Sequence, residues 1–375
     1  MIDRRRFSLG AGAAALAGFG IARAQSETPI LLGQSAPFSG PAAELGIQFH
    51  QGAKLWLDQY NAQPGRREVR LRFLDDGYEP ERTVANTRKL IDEDVFALFG
   101  YIGTPTSLAA LPLAVKDKVP FIAPFTGAMA LREPFHRSVF HLRASYNDET
   151  ALIVRQLTHL GLKKIAVFHQ NDSYGQAGLD GVTLALAQQK LEPAARATVE
   201  RNSEDVAAAV KTIVAARPDA VVQISAYKSC AAFIREARKA GYGGTFYNVS
   251  FVGTQALADE LGKDGAGVVV TQVVPSPYYQ ANGITREFNE AVRKAGGGVR
   301  ANFSSMEGYL AAKVLVEGLR RAPGSKLSRD SLIAGLESIE RQQFGGFEVS
   351  FSPKNHVASS FVELSMITGD GRIRT

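Results

Sequence analysis

Residues 30–46, ILLGQSAPFSGPAAELG, decide the fold. Ile30–Gln34 is apolar enough for a buried strand. The Ser35-Ala36-Pro37-Phe38-Ser39-Gly40-Pro41 run breaks it, and Ala42 onward returns to helix formers. Strand, loop and helix in this order open an α/β domain. The loop lacks the G-x-G-x-x-G spacing that lets backbone amides approach a pyrophosphate. Hydroxyls, Pro and Gly in that place suit a receptor for a small solute better than a nucleotide enzyme.

What precedes this stretch places the chain outside the cytoplasm. Arg4-Arg5-Arg6 is a charged n-region, Leu9–Ile21 an apolar run of 13 residues, and Ala22-Arg23-Ala24 a small-x-small cleavage site. Together they read as an export signal over residues 1–25, too short to span a bilayer. Arg4-Arg5-Arg6-Phe7 also has the form of a twin-arginine signal, although Asp3 stands where Ser or Thr is usual, so the general secretory route stays open. No Cys follows the cleavage site to take a lipid. The expected location is the periplasm.

Removing four Arg and one Asp with the signal leaves 39 basic and 36 acidic residues, a net of +3. That balance argues against a nucleic-acid partner. Cys230 is the only cysteine, so no internal disulfide can form, and its helical context FIREARKAG makes it a small buried hydrophobe. The six histidines have no paired metal-ligand spacing. G-x-S-x-G and Walker A motifs are absent from the sequence. No cofactor and no metal is expected. Asp75-Asp76 invites an acid/base reading, but a strand-end turn ahead of Pro80 explains the pair more simply.

Beyond residue 46, short apolar strands alternate with amphipathic helices. Val69–Asp76, Phe96–Gly100 and Pro120–Pro124 read as strands, with a helix over Pro80–Asp92. The pattern restarts with strands at Lys164–Gln170, Ala220–Ser225, Thr245–Ser250 and Gly267–Gln272. Helices are expected at Tyr174–Lys190, Val206–Ala216, Tyr227–Ala240, Ile284–Ala295, Ser305–Arg321 and Ser328–Glu340, and a hairpin-rich tail from Phe344. Alternation of this kind predicts parallel sheets with right-handed crossovers. About 350 mature residues exceed one ordinary core, so two domains are expected. The weak points at His141–Glu149, Gln272–Pro277 and Gly345–Pro353 become three crossovers between two lobes, with a cleft between them.

Ligands in open α/β sheets sit beyond the carboxyl ends of the strands. Four loops lie there. Tyr101-Ile102-Gly103-Thr104-Pro105 places Thr104 as a helix N-cap with Pro105 at the first position, a seat for a carboxylate. Phe125-Thr126-Gly127 again joins an aromatic wall to a hydroxyl. Asp172-Ser173-Tyr174 and Ala226-Tyr227-Lys228 put tyrosines on the second lobe's side, where a ring closes a pocket and its hydroxyl serves the ligand.

Seven stretches occur in the order found in one family: SGPAAELG, LDDGYEPERTVANTRKLI, PFIAPFTGA, IAVFHQNDSYGQAGLDG, FIREARKAGY, GVVVTQVVP and MEGYLAAKVLVEGL. In these the mature chain resembles the solute-binding proteins of ABC importers, in the branched-chain amino-acid (leucine/isoleucine/valine) class. The resemblance implies a type I periplasmic binding protein fold: two Rossmann-like lobes, 26–143 with 276–346 and 144–275 with 347–375, joined by three crossovers. It implies no enzyme activity. It implies a monomer that closes on a small ligand (an amino acid, an aromatic or aliphatic carboxylate, or an amide) and docks on an inner-membrane permease. Carried over by position, Thr104 meets a ligand carboxylate, Phe125 offers its backbone carbonyl to an ammonium, and Thr126 substitutes for a hydroxyl that Gly127 lacks. Tyr101, Tyr174 and Tyr227 complete the walls, and Leu45 stands where an aromatic is usual.

Two departures stand out. The family's ammonium-binding acid falls at Ser250, and its disulfide positions at Tyr78 and Gly103. A buried ammonium without a carboxylate is costly. The ligand is therefore expected either to lack an α-ammonium or to be paired by another acid, Asp148 or Glu149. Two other readings fit a chain of this kind: a ligand-sensing adaptor for a membrane kinase, and an exported oxidoreductase.

Overall fold

The computed structural model describes residues 28–375, so the expected signal and its cleavage site lie outside the described residues. The first half builds β1 (Ile30–Ala36), α1 (Ala43–Asn61), β2 (Val69–Asp75), α2 (Pro80–Asp92), β3 (Ala97–Phe99), α3 (Thr104–Lys116), β4 (Phe121–Ile122) and β5 (Val139–Phe140). Its five strands pair in the order β2-β1-β3-β4-β5, all parallel. The short strands β3, β4 and β5 are wholly buried, as strands covered by helices on both faces must be.

The chain then runs through α4 (Tyr146–His159), β6 (Ile165–Gln170), α5 (Ser173–Gln188), β7 (Ala195–Val199), α6 (Ala207–Ala215), β8 (Ala220–Ile224), α7 (Tyr227–Lys239), β9 (Thr245–Asn248), α8 (Thr254–Leu261) and β10 (Val269–Gln272). It returns to the first sheet's side with α9 (Gly283–Lys294), α10 (Phe303–Arg321) and α11 (Arg329–Glu337). A small hairpin follows, β11 (Gln342–Phe344) with β12 (Phe347–Val349), turned by Gly345 and Gly346 at φ +60 and +99. Last come β13 (Glu363–Ile367) and β14 (Ile373–Arg374), an antiparallel edge on the second sheet, whose order is β14-β13-β10-β9-β8-β6-β7.

Helix α10 locks onto α1. A Cβ on Gly52 would meet the Ser305 carbonyl oxygen at 1.8 Å, and one on Gly308 the Phe49 carbonyl oxygen at 2.0 Å. The two helices cross backbone to backbone because both positions are glycine. This joins a late segment to the first lobe across some 250 residues of sequence, making that lobe discontinuous in the chain.

Four elements escape the sequence reading, among them the short helix α8 between β9 and β10. β5 has only two residues, and β7 is an edge strand whose alternating exposure is not an apolar run. Helix α4 starts at Tyr146, inside the stretch read as a weak connection. Ser145 and Asp148 close a capping box there, so the break signal was a helix start.

Candidate functional site

The loops leaving β1, β3 and β4 face those leaving β6, β8 and β9, all at carboxyl ends of parallel strands. The lobes are closed on each other. On the first side, Gly103 takes φ +98 and is the N-cap of α3; Thr104 is the first helical residue. This corrects the expectation that Thr104 caps the helix with Pro105 at the first position. The Thr104 hydroxyl instead shares a 2.6 Å hydrogen bond with the Thr126 hydroxyl, which also accepts from the Ala128 N–H at 3.1 Å. Both threonines are fully buried.

Gly127 has no room for the hydroxyl side chain usual in the family. A Cβ there would meet the Tyr146 backbone nitrogen and ring at 2.6 Å. Tyr146 donates its N–H to the Gly127 carbonyl at 2.8 Å, and its ring fills the vacated space. Its phenol is buried beside the Thr126 hydroxyl and is pushed up to about 12 by burial, against the pull of Arg143 and of that hydroxyl.

Aromatic rings wall the cleft from both sides. Tyr174, second residue of α5, lies 4.5 Å from Phe251 and 5.4 Å from Tyr146 between centroids. Phe251 stands 5.7 Å from Phe125 and 5.9 Å from Tyr78. The Tyr174 hydroxyl is unpartnered, and burial raises its pKa well above the ordinary tyrosine value. Phe125 carries the Arg143 guanidinium 3.9 Å over its ring, and its carbonyl already accepts from the Gly103 N–H at 3.2 Å. Tyr78 and Gly103, the positions of the family disulfide, are in contact: the Tyr78 ring lies where a Gly103 side chain would be, 2.3 Å from its Cβ site. Tyr78 also accepts at its hydroxyl from Gln170 of the facing loop, at 3.3 Å.

Tyr227 and Leu45 seal the edge. Tyr227 is buried, with its hydroxyl reaching the backbone of Glu44 in α1, and the Leu45 side chain packs on Gly253, where φ is +77. Tyr101 is not brought to the cleft. Its hydroxyl pairs with Thr87 at 3.1 Å and its ring with Phe121, in the separate core between the first sheet, α2 and α3. Side chains of an extended segment alternate in direction, so the backbone of this loop faces the cleft while this ring faces away.

The acids have distinct fates. Asp148 is spent on the Ser145 capping box. Glu149 is fully buried and accepts from the Ser250 N–H at 2.7 Å, the Ser250 hydroxyl at 3.1 Å and the Thr271 hydroxyl. Burial raises its pKa despite Arg143 and those donors. Arg143 makes a bidentate pair with Glu307 of α10, at 2.8 and 2.7 Å. Asp75 and Asp76 hold the turn after β2: Asp75 accepts from Phe38 and Gly77, Asp76 from Ser35, Tyr78 and Thr83. Sequence reasoning missed Tyr146, Phe251 and Arg143. The one signal for Arg143 was a single Arg in the crossover HLRASY.

The family model described as periplasmic binding protein matches residues 29–372, and the chain belongs to that family. Leu/Ile/Val-binding protein homolog 7 of Brucella suis is 26% identical over 94% of this chain and 92% of its own length. A structure of a possible leucine/isoleucine/valine-binding protein from Rhodopirellula baltica superimposes with a TM-score of 0.85 at 36% identity, covering 92% of this chain and 96% of that one. A substrate-binding periplasmic protein from Ralstonia solanacearum gives 0.85 at 30%, over 92% and 99%. The fold is thus the type I periplasmic binding protein fold, and the chain is a solute-binding protein of the branched-chain amino-acid-binding type rather than an enzyme.

Proposed function

We propose that this chain is the extracytoplasmic receptor of an ABC importer. It closes two lobes on one small amino-acid-like or carboxylate solute and hands it, unaltered, to a permease in the inner membrane. The lobes in this reading are 26–143 with 276–346 and 144–275 with 347–375, and the protein works as a monomer exported by the twin-arginine or general secretory route. The observation that carries the reading is the convergence of the Thr104–Thr126 hydroxyl pair, the Tyr146 phenol beside it and the unpartnered phenol of Tyr174 in a buried, aromatic-walled cleft. Buried hydroxyls normally find partners, so a free one between two lobes points to a bound solute.

Closure is a hinge motion in which the first lobe takes the carboxylate and the second adds its tyrosines. Micromolar binding corresponds to about −8 kcal/mol, within reach of two or three charge-assisted hydrogen bonds and one buried apolar group. The test is a thermal-shift screen of the purified mature protein against amino acids, aromatic and aliphatic carboxylates and amides. A solute that raises the melting temperature of the wild type but not of Thr104→Ala supports the reading. A screen in which no solute shifts the wild type overturns it.

A further inference from the structure

A cavity of about 270 Å³ lies where the chain leaves the first sheet after β5 and passes to the second after β12, and it shares no lining residue with the cleft walls. There the His141 N–H donates to the His356 carbonyl and the Ala358 N–H to the His141 carbonyl, both at 2.8 Å. The two connections between the sheets therefore run bonded side by side. Phe135, Val139 and Val357 give the cavity apolar walls, and Arg132, His141 and His356 line the same space. An apolar cavity of roughly 150 Å³ holds a benzene ring, so this one has room for a ring and a polar group.

Two polar atoms of that lining are buried without a partner. Arg132 is 8% exposed; its Nη1 serves the carbonyls of Thr126 and Ala128 and its Nη2 those of Arg143 and Ala144, which leaves the Nε–H unpartnered. His141 is 2% exposed, and its Nε2 lies 3.1 Å from the Leu131 carbonyl. A carbonyl only accepts, so Nε2 carries the proton. Burial, with Arg132 adding to it, keeps the ring neutral, and Nδ1 is left as a bare acceptor. His356 places its Nδ1 3.1 Å from the Val139 carbonyl and its Nε2, which makes no hydrogen bond, 3.4 Å from the Glu337 carboxylate. Buried polar atoms without partners are rare, and a donor and an acceptor beside one cavity call for an occupant that has one of each.

The charges around the cavity do not call for an ion. Lys354 and Glu133, both exposed, oppose each other, Arg137 is paired with Glu337, and Arg132 stands in the field of Asp148 and Glu149. We propose that this cavity is a second binding site, for an uncharged, ring-sized molecule whose polar end carries a donor and an acceptor together, as a primary amide does. Its acceptor takes the Arg132 Nε–H, its donor serves the His141 Nδ1, and its ring lies among Phe135, Val139 and Val357. A carboxylate lacks the donor and an ammonium lacks the acceptor, so either leaves one buried atom unpaired and adds a charge to desolvate. Arg132 joins this site to the cleft, because the same guanidinium holds the carbonyl of Thr126, whose hydroxyl pairs with Thr104.

The experiment is titration of the mature protein with benzamide, benzoate and benzylammonium at one fixed pH, followed through the ring NMR signals of His141 and His356 in histidine-labelled protein. Benzamide should move both signals to saturation and bind at least about tenfold more tightly than either charged analogue. This comparison needs no variant. Val357→Phe fills the cavity from a half-buried position and removes no hydrogen-bonding side chain, so it should weaken benzamide by about tenfold or more, with the melting temperature reporting the fold. The histidine response should be the same in Thr104→Ala, which alters only the cleft. Silent histidine signals overturn the inference, as does equal or tighter binding of benzoate or benzylammonium, or undiminished binding in a folded Val357→Phe. Loss of the response in Thr104→Ala overturns it too, since benzamide would then sit in the cleft. None of these outcomes sinks the receptor reading, which the thermal-shift screen decides separately.

Discussion

Ser250 donates both its backbone N–H and its hydroxyl to the carboxylate of Glu149, at 2.7 and 3.1 Å. The resemblance places an acid at position 250; this chain carries the acid in the first turn of α4, so that it points at 250 from a different element. The carboxylate is thereby turned from a group that meets the ligand into one that ties the crossover at α4 to the ends of β9 and β10. It also sits near Arg143, whose own partner Glu307 comes from α10. One crossover segment is thus fastened to both lobes by buried charge.

Glu149→Ala should therefore cost stability more than a typical core truncation. It leaves the Ser250 N–H and hydroxyl and the Thr271 hydroxyl without acceptors, at about 1–3 kcal/mol for each group that water cannot reach. A total loss of about 3–5 kcal/mol is expected, read from urea denaturation with the m-value unchanged. A loss below about 1 kcal/mol would mean that these donors find water instead.

Thr104→Ala should act on binding and spare the fold. The hydroxyl makes its one hydrogen bond with Thr126 and caps nothing, since Gly103 holds the N-cap position. Hydrogen bonds to a charged group are worth about 1.5–3 kcal/mol, so the solute found in the screen should bind about 10- to 100-fold more weakly. Calorimetry gives the affinity, and near-unchanged circular dichroism and melting temperature confirm the fold. Unaltered affinity would remove Thr104 from the site.

The two-sheet architecture was legible because βα alternation is local, and each strand or helix announces itself within about ten residues. Thr104, Phe125, Thr126 and Tyr174 were legible for the related reason that strand-end loops can be placed once strands are. Tyr146 was hidden because its helix begins where the chain looked like a linker, and because its role depends on the absence of a side chain at Gly127. The Arg143–Glu307 pair joins residues 164 apart and leaves no mark in either neighbourhood. Tyr101 misled because a loop's direction was read where the direction of a single ring was needed.

A clasp spans the cleft mouth. Arg201, after β7, pairs with Glu79 of the opposite loop at 3.0 Å and with Asp172 at 3.4 Å, while Asn202 donates to the Gly77 carbonyl at 3.0 Å and to Glu79 at 2.7 Å. The contacts to Glu79 and Gly77 bridge the lobes and exist only when these are shut, so they favour the closed state without touching the solute, whereas Arg201–Asp172 stays within the second lobe. The pair is partly exposed and its worth modest, about 0.5–1 kcal/mol. Arg201→Ala should therefore raise the solute dissociation rate about two- to fivefold, with the association rate nearly unchanged. Stopped-flow fluorescence checks this. Glu79→Ala should have a similar effect, and the double variant should add little, because both remove the same link.

Acid should destabilise the folded protein in a window set by His50. Its Nδ1 is 2.7 Å from the Gln34 Oε1, and Gln34 in turn donates to the Gly100 carbonyl at 2.9 Å, at the root of the Thr104 loop. Burial, with Lys54 adding to it, lowers the histidine from 6.5 to about 4. A lowered folded-state pKa means that the unfolded chain takes up the proton first. The stabilising contribution is thus full above about pH 6.5 and is lost as pH falls towards 4. Burial likewise lowers His141, His169 and His356, which reinforces the trend. Asp76 opposes it: burial raises that carboxyl to about 6, so its protonated form favours the folded state as pH falls from 6 towards 3.8. Glu149 and Glu363, also raised by burial, oppose it in the same sense; the four lowered histidines, joined by the lowered carboxyls of Asp75 and Glu337, still leave a net loss. Melting temperatures measured at pH 7, 5.5 and 4.5 should fall in that order. His50→Asn, which keeps an N–H donor for Gln34 but cannot titrate, should melt lower than wild type at pH 7 and lose less on acidification. An identical pH slope in the two proteins would assign the acid sensitivity elsewhere.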